Sequence, residues 1–345
     1  MSRPRRTRFV LISDTHNQTP KLPAGDVLTH AGDLTNTGSH SELVKTVDWL
    51  EKAPFEVKIV VAGNHDVTLD EAFYASHGAH FHNQQLQDSR ACVALLRSAP
   101  FITYLAHESR TIRLRSGAKF SVFASPYSPY CGATWAFQYA REAAATLWDD
   151  IPLDTDVLVT HAPPHHHCDT NATGHADGCK ALREALWRIR PCMHVCGHRH
   201  EGRGAERVHW KLDEYPLEQR TLVWTDPGAG NGKQSLVDLT TRGGNPIDYD
   251  FAPTVVSSSV SSPSAAGDHA NVFSQKRLTA PQHALDQNGN ATAEQSNHAV
   301  MSRLGRRETC VINAAIMAQS YGRGPKRFNK PIVVDIDLPG ANDAV

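Results

Sequence analysis

Short apolar segments, each followed by polar residues, recur along the first two hundred positions of the chain. Five of these segments are rich in Val, Ile and Leu, which is typical of buried strands, and they lie at 8–13, 27–31, 57–61, 156–160 and 193–196. Leu43, Val47 and Leu50 instead recur at helical spacing after a serine that can cap a helix, so they predict an amphipathic helix. The alternation of strands and helices predicts an α/β fold with a largely parallel sheet.

The rest of the chain divides into ordered segments and one polar stretch. Further helices are predicted at 71–98, 137–150 and 179–190, and further strands at 102–104, 111–114, 120–125, 222–224, 235–239 and 331–338. Residues 253–306 are rich in Ser, Ala, Asn, Gln and His without apolar periodicity, which predicts disorder. Since the segment after them is too short to bury a core alone, we predict one domain at 8–339. An insertion at about 205–306 would interrupt it, and a basic tail at 1–7 would precede it.

The composition argues against several classes of function. The chain has 345 residues, 35 Lys and Arg against 36 Asp and Glu, and a formal net charge of −1. It therefore lacks the charge excess typical of proteins that bind nucleic acid or an anionic membrane. No stretch approaches the ~20 apolar residues of a membrane span, and we find no secretory signal. With seven scattered cysteines, we predict reduced thiols and a cytoplasmic protein, with the nucleus as an alternative location.

Metal-competent side chains stand at the ends of the five apolar strands. They are Asp14 and His16, Asp33, Asn64 and His65, His161, and His198 and His200. Open α/β sheets place their ligands at the carboxyl ends of strands, so we expect these side chains to converge. A set of oxygen and nitrogen ligands without thiolate suits a pair of divalent or mixed-valence ions of the Mn, Fe or Zn type. The sequence therefore predicts a dinuclear metal centre.

Two other motifs are open to weaker interpretations. The His-rich stretch at 165–178 could form a compact zinc site, but no paired Cys-x2-Cys spacing accompanies it, and a substrate-facing loop is favoured. The glycine-rich stretch at 227–232 could hold a phosphate, but no helix pattern follows it to supply the amide dipole. His77, His80 and His82 are interpreted as surface or loop residues.

Five sequence blocks together resemble a known family. In order they are Asp14-x-His16, Gly32-Asp33, Gly63-Asn64-His65-Asp66, Thr160-His161-x-Pro163-Pro164 and Gly197-His198-x-His200. This order is similar to that of the calcineurin-like metallophosphoesterase superfamily, from about residue 9 to 204 and again from about 308. The most similar subgroup is that of the MPPED-like proteins, related to class III cyclic-nucleotide phosphodiesterases. The resemblance implies a four-layer α-β-β-α sandwich of two mixed sheets flanked by helices.

The resemblance also implies a role for each polar residue. One metal ion would be bound by Asp14, His16 and His200, the other by Asn64, His161 and His198, and Asp33 would bridge them. His65 would act as the acid near the leaving oxygen, with Asp66 orienting its ring. Some animal members of the subgroup have glycine in place of His198, so its presence here predicts a complete dinuclear centre. Arg199 is expected at the surface or rim.

The activity implied by the resemblance is hydrolysis of a P–O bond in a small phosphate ester by a metal-bound hydroxide. A phosphodiester is favoured, with a cyclic nucleotide as one candidate. The alternatives are a phosphomonoesterase and a weakly active metal-binding scaffold protein. A nuclease is disfavoured because there is no basic stripe with interleaved aromatic residues. A protein phosphatase is disfavoured because Asp66 stands where that branch carries Glu. The oligomeric state is not predicted.

Overall fold

A computed structural model describes residues 4–130, 134–211, 218–248, 305–319 and 326–340. The strands are β1 (Arg5–Ile12), β2 (Val27–Ala31), β3 (Val57–Val61), β4 (Thr103–Tyr104), β5 (Glu108–Arg113), β6 (Lys119–Ser125), β7 (Ser128–Pro129), β8 (Gln138–Tyr139), β9 (Val157–Thr160), β10 (Met193–Cys196), β11 (Gly204–Trp210), β12 (Glu218–Val223), β13 (Ser235–Leu239), β14 (Glu308–Asn313) and β15 (Ile332–Leu338). The helices are α1 (His40–Lys52), α2 (Glu71–Phe81), α3 (Ser89–Arg97), α4 (Ala144–Asp149) and α5 (Lys180–Ile189).

The strands form two large mixed sheets and one small ribbon. The first sheet has the order β13-β15-β1-β2-β3-β4, and β1 to β4 run parallel while β15 is antiparallel to β1. The second has the order β12-β11-β14-β10-β9-β6-β5, with a parallel centre from β14 to β6 and antiparallel pairs at both edges. Strands β7 and β8 pair only with each other.

The buried apolar residues form three hydrophobic cores. One core lies between the sheets and includes Phe9 and Leu11 of β1 with Val122 of β6 and Val195 of β10. A second packs α1, α2 and α3 on the outer face of the first sheet, and a third packs α4 and α5 on the outer face of the second. Because each central strand is buried on both faces, its sequence is a continuous apolar run. The predicted four-layer α-β-β-α sandwich is confirmed.

The predicted helix at 137–150 is shorter than expected. Residues 138–139 form β8, and the helix α4 occupies only Ala144–Asp149 after a turn of 3-10 helix at Arg141–Ala143. Phe137 has a φ of 55°, which is incompatible with a helix starting there. Its backbone N–H donates to the Asp70 carboxylate over 2.9 Å, so a tertiary contact holds the left-handed turn that precedes β8.

The predicted boundaries of the domain also need correction. Residues 204–239 were expected to lie in an insertion, yet β11 pairs with β14, and β13 pairs with β15. At the other end, Arg5 to Thr7 were expected in a tail, but they pair with residues of β15. Charged residues interrupt the apolar pattern of these strands in the sequence. In the structure they pair with buried carboxylates, Arg207 with Glu308 and Arg6 with Asp335. The predicted disorder at 253–306 falls outside the described residues, except for 305 and 306.

Within the described ranges, no helix is both long and apolar enough to cross a membrane.

Candidate metal centre

The polar ends of five strands meet where the two sheets join. Parallel pairing of β1, β2 and β3 brings three of these ends together, and parallel pairing of β9 and β10 brings the other two. A bridge between Ser13 and Ala315, with the Ser13 N–H donating to the Ala314 carbonyl over 2.9 Å, connects the two sheets at this point. The expected convergence of the strand ends therefore exists.

Asp14, His16 and His200 form the first cluster. Nε2 of His200 lies 3.3 Å from Oδ1 of Asp14 and 3.4 Å from Nε2 of His16. One potential ligand atom from each residue lies within 4.8 Å of the others, and all three residues are buried. Two backbone–carboxylate bonds of 3.0 Å from the His198 N–H orient the Asp14 carboxylate. These three residues could hold one metal ion.

Asp33 lies between His16 of the first cluster and His161, which belongs to a second cluster. Its Oδ2 lies 3.7 Å from Nε2 of His16, and its Oδ1 lies 3.4 Å from Nε2 of His161. The side chain is 2% exposed. A carboxylate with one oxygen toward each of two histidines can bridge two cations.

His161, Asn64 and His198 form the second cluster. Nε2 of His161 lies 3.0 Å from Oδ1 of Asn64, and the His161 and His198 rings are 5.0 Å apart between centroids. Nδ1 of His161 donates to the Ala31 carbonyl over 2.9 Å, which directs Nε2 toward the cluster. Nε2 of His198 is buried and has no hydrogen-bond partner among the described residues. Such an orphaned nitrogen is unfavourable unless something binds it.

The backbone of the centre is strained. Asp14, His16, Asp33 and His198 have φ angles of 51°, 44°, 54° and 66°, in the left-handed region that non-glycine residues rarely adopt. Strain of this kind persists where the surrounding structure imposes it, often at functional sites. Gly63 shows how closely the strand ends approach, because a Cβ there would overlap with Oδ1 of Asp33. The glycine of the Gly63-Asn64-His65 turn is therefore required by packing.

The buried carboxylates of the centre stay ionised. Burial by itself would raise the pKa of Asp14, but the hydrogen bond and charge of His200 outweigh it and lower this pKa to about 2. The pKa of Asp33 is likewise held well below its usual range against burial, mainly by the charge of His161. Conversely, burial disfavours the imidazolium of His161, yet the Asp33 carboxylate outweighs it and raises the pKa of His161 to about 9.

The donor set fits a pair of divalent cations. Nε2 of His161 and Oδ1 of Asn64 face each other at 3.0 Å, where a bound cation would take the place of the Nε2 proton, and the buried Nε2 of His198 has no hydrogen-bond partner among the described residues. Two buried, ionised carboxylates add negative charge that a cation would neutralise. Oxygen and imidazole ligands without thiolate suit Mn, Fe or Zn, as expected from the sequence.

Asp66 does not contact the His65 ring in the way expected from the resemblance. Nδ1 of His65 donates to the Asn36 carbonyl over 2.8 Å, so Asn36 orients the ring. The Asp66 carboxylate instead accepts from the backbone N–H groups of Gly63, Leu34 and Thr35 at 2.8, 3.1 and 2.9 Å. Burial and the nearby Asp33 charge raise the pKa of Asp66 to about 6. Its role in the structure is to join the turns that follow β2 and β3.

Sequence reasoning missed two further residues of the centre. The ring of Trp135 lies 4.0 Å from that of His65 between centroids. The side chain of Asn313 is fully buried, and its Nδ2 donates to the carbonyls of Arg199 and Cys168 at 2.7 and 3.0 Å. Asn313 follows the same pattern as the ligands, a polar residue at the end of an apolar strand, and that pattern could have identified it. No pattern in the sequence indicated Trp135, because it lies in a loop before β8 and not at the end of an apolar strand.

The His-rich stretch lies beside the centre and contacts it through Arg199. The Arg199 side chain, expected at the rim, is 16% exposed and forms an ion pair with Asp177. His167 is buried and its Nδ1 is 2.8 Å from the Glu206 carboxylate. Asp169 accepts from the backbone N–H groups of His166 and Gly178 at 3.0 and 2.8 Å. These contacts hold the stretch against the second sheet.

Comparison with known proteins gives relatives of three descriptions. The chain is 44% identical over 213 residues to a probable rhamnogalacturonate lyase C of Emericella nidulans, covering 61% of this chain and 19% of that protein. It is 36% identical over 210 residues to metallophosphoesterase domain-containing protein 1 of Homo sapiens, covering 57% of this chain and 62% of that protein. It is also 36% identical over 203 residues to a UPF0046 protein of Caenorhabditis elegans, with 57% and 64% covered. The chain thus spans less than two thirds of the length of each of these relatives.

The family model described as calcineurin-like phosphoesterase matches residues 7–202. This range contains all seven predicted metal ligands as well as His65 and Asp66. The resemblance expected from the five sequence blocks is confirmed. The chain belongs to the calcineurin-like phosphoesterase family.

Proposed function

We propose that this protein is a dinuclear metal phosphoesterase that hydrolyses a P–O bond of a small phosphodiester. The observation that carries the proposal is the position of Asp33, whose two oxygens face His16 on one side and His161 on the other. Asp14, His16 and His200 would hold one cation, and Asn64, His161 and His198 the other. When bound, two cations supply an acidified water as nucleophile and neutralise charge on the phosphoryl oxygens.

The chain itself contributes orientation and a proton. The Ala31 carbonyl fixes the tautomer of His161, and the His198 N–H fixes the Asp14 carboxylate. The Asn36 carbonyl binds Nδ1 of His65, which makes Nε2 the ring atom available to a leaving oxygen. A proton transferred from Nε2 to that oxygen as the P–O bond breaks would avoid release of a free alkoxide.

The charges of the site favour a diester over a monoester. The seven proposed ligands and His65 include no Lys or Arg, and Arg199 is engaged by Asp177. A phosphomonoester carries a second negative charge near neutral pH, and enzymes that bind it commonly supply arginine. A phosphodiester carries a single negative charge, so it needs fewer positive groups from the protein. A 2′,3′- or 3′,5′-cyclic nucleotide is one candidate of this class.

A cytoplasmic setting accords with this proposal. Six cysteines that the structure describes are buried, and five of them are free thiols: Cys92, Cys168, Cys179, Cys196 and Cys310. Free thiols are the usual state in reducing compartments.

The proposal is tested with protein reconstituted in turn with Mn²⁺, Fe²⁺ and Zn²⁺. Turnover is measured on bis(4-nitrophenyl) phosphate, 4-nitrophenyl phosphate and the two kinds of cyclic nucleotide. We expect metal-dependent hydrolysis with a higher kcat/KM for diesters, and loss of activity in Asp33→Asn. A higher kcat/KM for the monoester would favour a phosphomonoesterase. Two bound metal ions without turnover of any ester would contradict the proposal and favour a scaffold protein.

A further inference from the structure

We propose that Trp135 is a positioning residue that holds the His65 imidazole in the orientation needed to protonate the leaving group. This inference rests on the proposed function, because it concerns the acid of the same reaction. It assigns a role to the loop before β8, which lies outside all five sequence blocks that carry the ligands.

Three contacts surround the His65 ring. Its Nδ1 is bound to the Asn36 carbonyl at 2.8 Å. One neighbour is Trp135, with centroids 4.0 Å apart and planes inclined by 34°. Another is His16, whose ring is nearly perpendicular at 89° with centroids 4.8 Å apart. The hydrogen bond fixes the position of Nδ1 but not the tilt of the ring plane, which the packing against Trp135 and His16 restricts, with Trp135 the nearer of the two.

Trp135 is itself fixed by other parts of the fold. Its ring contacts that of Phe81 at the end of α2, with centroids 5.3 Å apart. Its backbone N–H donates to the Gln138 side chain over 3.2 Å. Two residues later, the Phe137 N–H donates to Asp70, the residue that caps α2. The indole is therefore positioned by α2 and β8 independently of the metal ligands.

His65 lies close enough to the centre for this orientation to matter. One of its ring nitrogens is within 4.8 Å of a ring nitrogen of His16 and a carboxylate oxygen of Asp33. In the proposed step the P–O bond to the leaving oxygen breaks, its electron pair stays on that oxygen, and the proton from Nε2 joins it. Transfer of this kind requires hydrogen-bond distance and alignment, so a ring free to turn would transfer the proton less often.

Comparing kcat for substrates with different leaving groups shows whether Trp135 positions an acid or only supports the structure in general. 4-Nitrophenolate is a stable anion and leaves without a proton, whereas the ribose alkoxide of a cyclic nucleotide needs one. Loss of acid catalysis therefore lowers kcat for the cyclic nucleotide much more than for bis(4-nitrophenyl) phosphate. A general loosening of the centre would lower both to the same extent.

The experiment compares Trp135→Ala, Trp135→Phe and a control, Trp49→Ala. Trp49 is also partly buried against the core below α1, α2 and α3, but it has no contact with His65 among the ring contacts described. We expect Trp135→Ala to lower kcat for a 3′,5′-cyclic nucleotide about 10- to 100-fold more than for bis(4-nitrophenyl) phosphate. Trp135→Phe should restore most of this loss, and Trp49→Ala should not change the ratio. Bound metal, measured by elemental analysis, should stay the same in all three.

A second measurement does not depend on turnover. In ¹⁵N-labelled, metal-free protein, the His65 ring should give sharp nitrogen signals with hydrogen on Nδ1 in the wild type and in Trp135→Phe. In Trp135→Ala these signals should shift and broaden. Equal losses on both substrates together with an unchanged His65 signal would overturn the inference. If the wild type hydrolysed none of the esters, the proposed function would fail, and the ring signals alone would decide whether Trp135 positions His65.

Discussion

Nε2 of His161 lies 3.0 Å from Oδ1 of Asn64, and both atoms carry lone pairs when the imidazole is neutral. The Nδ1 hydrogen of His161 is already donated to the Ala31 carbonyl. Two facing acceptors repel unless a proton or a cation lies between them. Without a cation, the proton on Nε2 holds this pair together, in keeping with the raised pKa of His161, and a bound cation would take the place of that proton.

Binding of a divalent cation should stabilise the folded protein. At a concentration of 100 Kd, ligand that binds only the folded state adds about 2.7 kcal/mol to the free energy of unfolding. We expect Mn²⁺ or Zn²⁺ to raise Tm in a concentration-dependent manner, and chelation to reverse the increase. Differential scanning calorimetry measures both. A Tm that does not respond to any of Mn²⁺, Fe²⁺ or Zn²⁺ would contradict the metal assignment.

Asp33→Asn should remove the bridge between the two clusters while preserving the shape of the side chain. We expect fewer than two metal ions bound per chain and a loss of kcat/KM of at least about 100-fold, since even indirect ligand supports contribute 10- to 100-fold to metal affinity or activity. Elemental analysis and ester turnover measure these effects. Asp48→Asn on the exposed side of α1 is the control. Full metal content and activity in Asp33→Asn would refute the bridging role.

Gly63→Ala tests the close approach of the strand ends. The added Cβ would overlap with Oδ1 of Asp33, so the carboxylate or the turn must move. We expect a loss of about 1–3 kcal/mol in the free energy of unfolding, the usual range for overpacking, together with weaker metal binding. Gly232→Ala is a matched control, because no atom lies within 4 Å of a Cβ at that position. Urea unfolding and metal titration should separate the two variants.

Asn313→Leu should weaken the centre without touching a proposed ligand. The change removes the Nδ2 donor to the carbonyls of Arg199 and Cys168. The Arg199 carbonyl still accepts from the Gly202 N–H, whereas the Cys168 carbonyl loses its described donor. An orphaned group costs about 1–3 kcal/mol, and lost support of a ligand loop lowers metal affinity about 10- to 100-fold. Asn83→Leu, at an exposed site after α2, should change neither unfolding in urea nor metal affinity. Equal free energies of unfolding and equal metal affinities in the two variants would show that Asn313 does not support the loop that contains Arg199.

His194 should make the protein less stable in mild acid. Burial lowers the pKa of His194 to about 3, whereas an unfolded histidine titrates near 6.5. Below that pH the unfolded state binds a proton that the folded state does not, so stability falls as pH falls. The contribution approaches about 1.4 kcal/mol per pH unit between roughly 6 and 4.

The corresponding variant is His194→Asn, which keeps a donor for the Thr160 hydroxyl now 2.7 Å from Nε2. Its curve of unfolding free energy against pH should be flatter over this interval than that of the wild type. His80→Asn, at an exposed position on α2, should leave the curve unchanged. Parallel curves for the wild type and His194→Asn would contradict the prediction.

The elements that sequence predicted best are those with a strong local pattern. Residues 57–61 form a strand as predicted, because a run of Val and Ile buried on both faces has one simple interpretation. Helix α1 begins after a capping serine as predicted, and this serine, Ser39, forms a capping box with Glu42. In contrast, residues 205–210 were predicted to lie in an insertion, and charged residues interrupt their apolar pattern. The partner that allows Glu206 and Arg207 to lie in a sheet is β14, about a hundred residues further on.

The same distinction applies to the metal centre. The sequence by itself pointed to a set of polar side chains that would converge, because each follows an apolar strand and strand ends meet at the edge of a parallel sheet. The resemblance of the five blocks then implied which seven of them are ligands. Only the tertiary structure decided that Asn36 rather than Asp66 orients His65, that Trp135 packs on its ring, and that Asn313 holds the loop of Arg199. These contacts join residues that are 29, 70 and 114 positions apart. Local patterns encode which side chain ends a strand, whereas contacts between loops depend on how the two sheets pack.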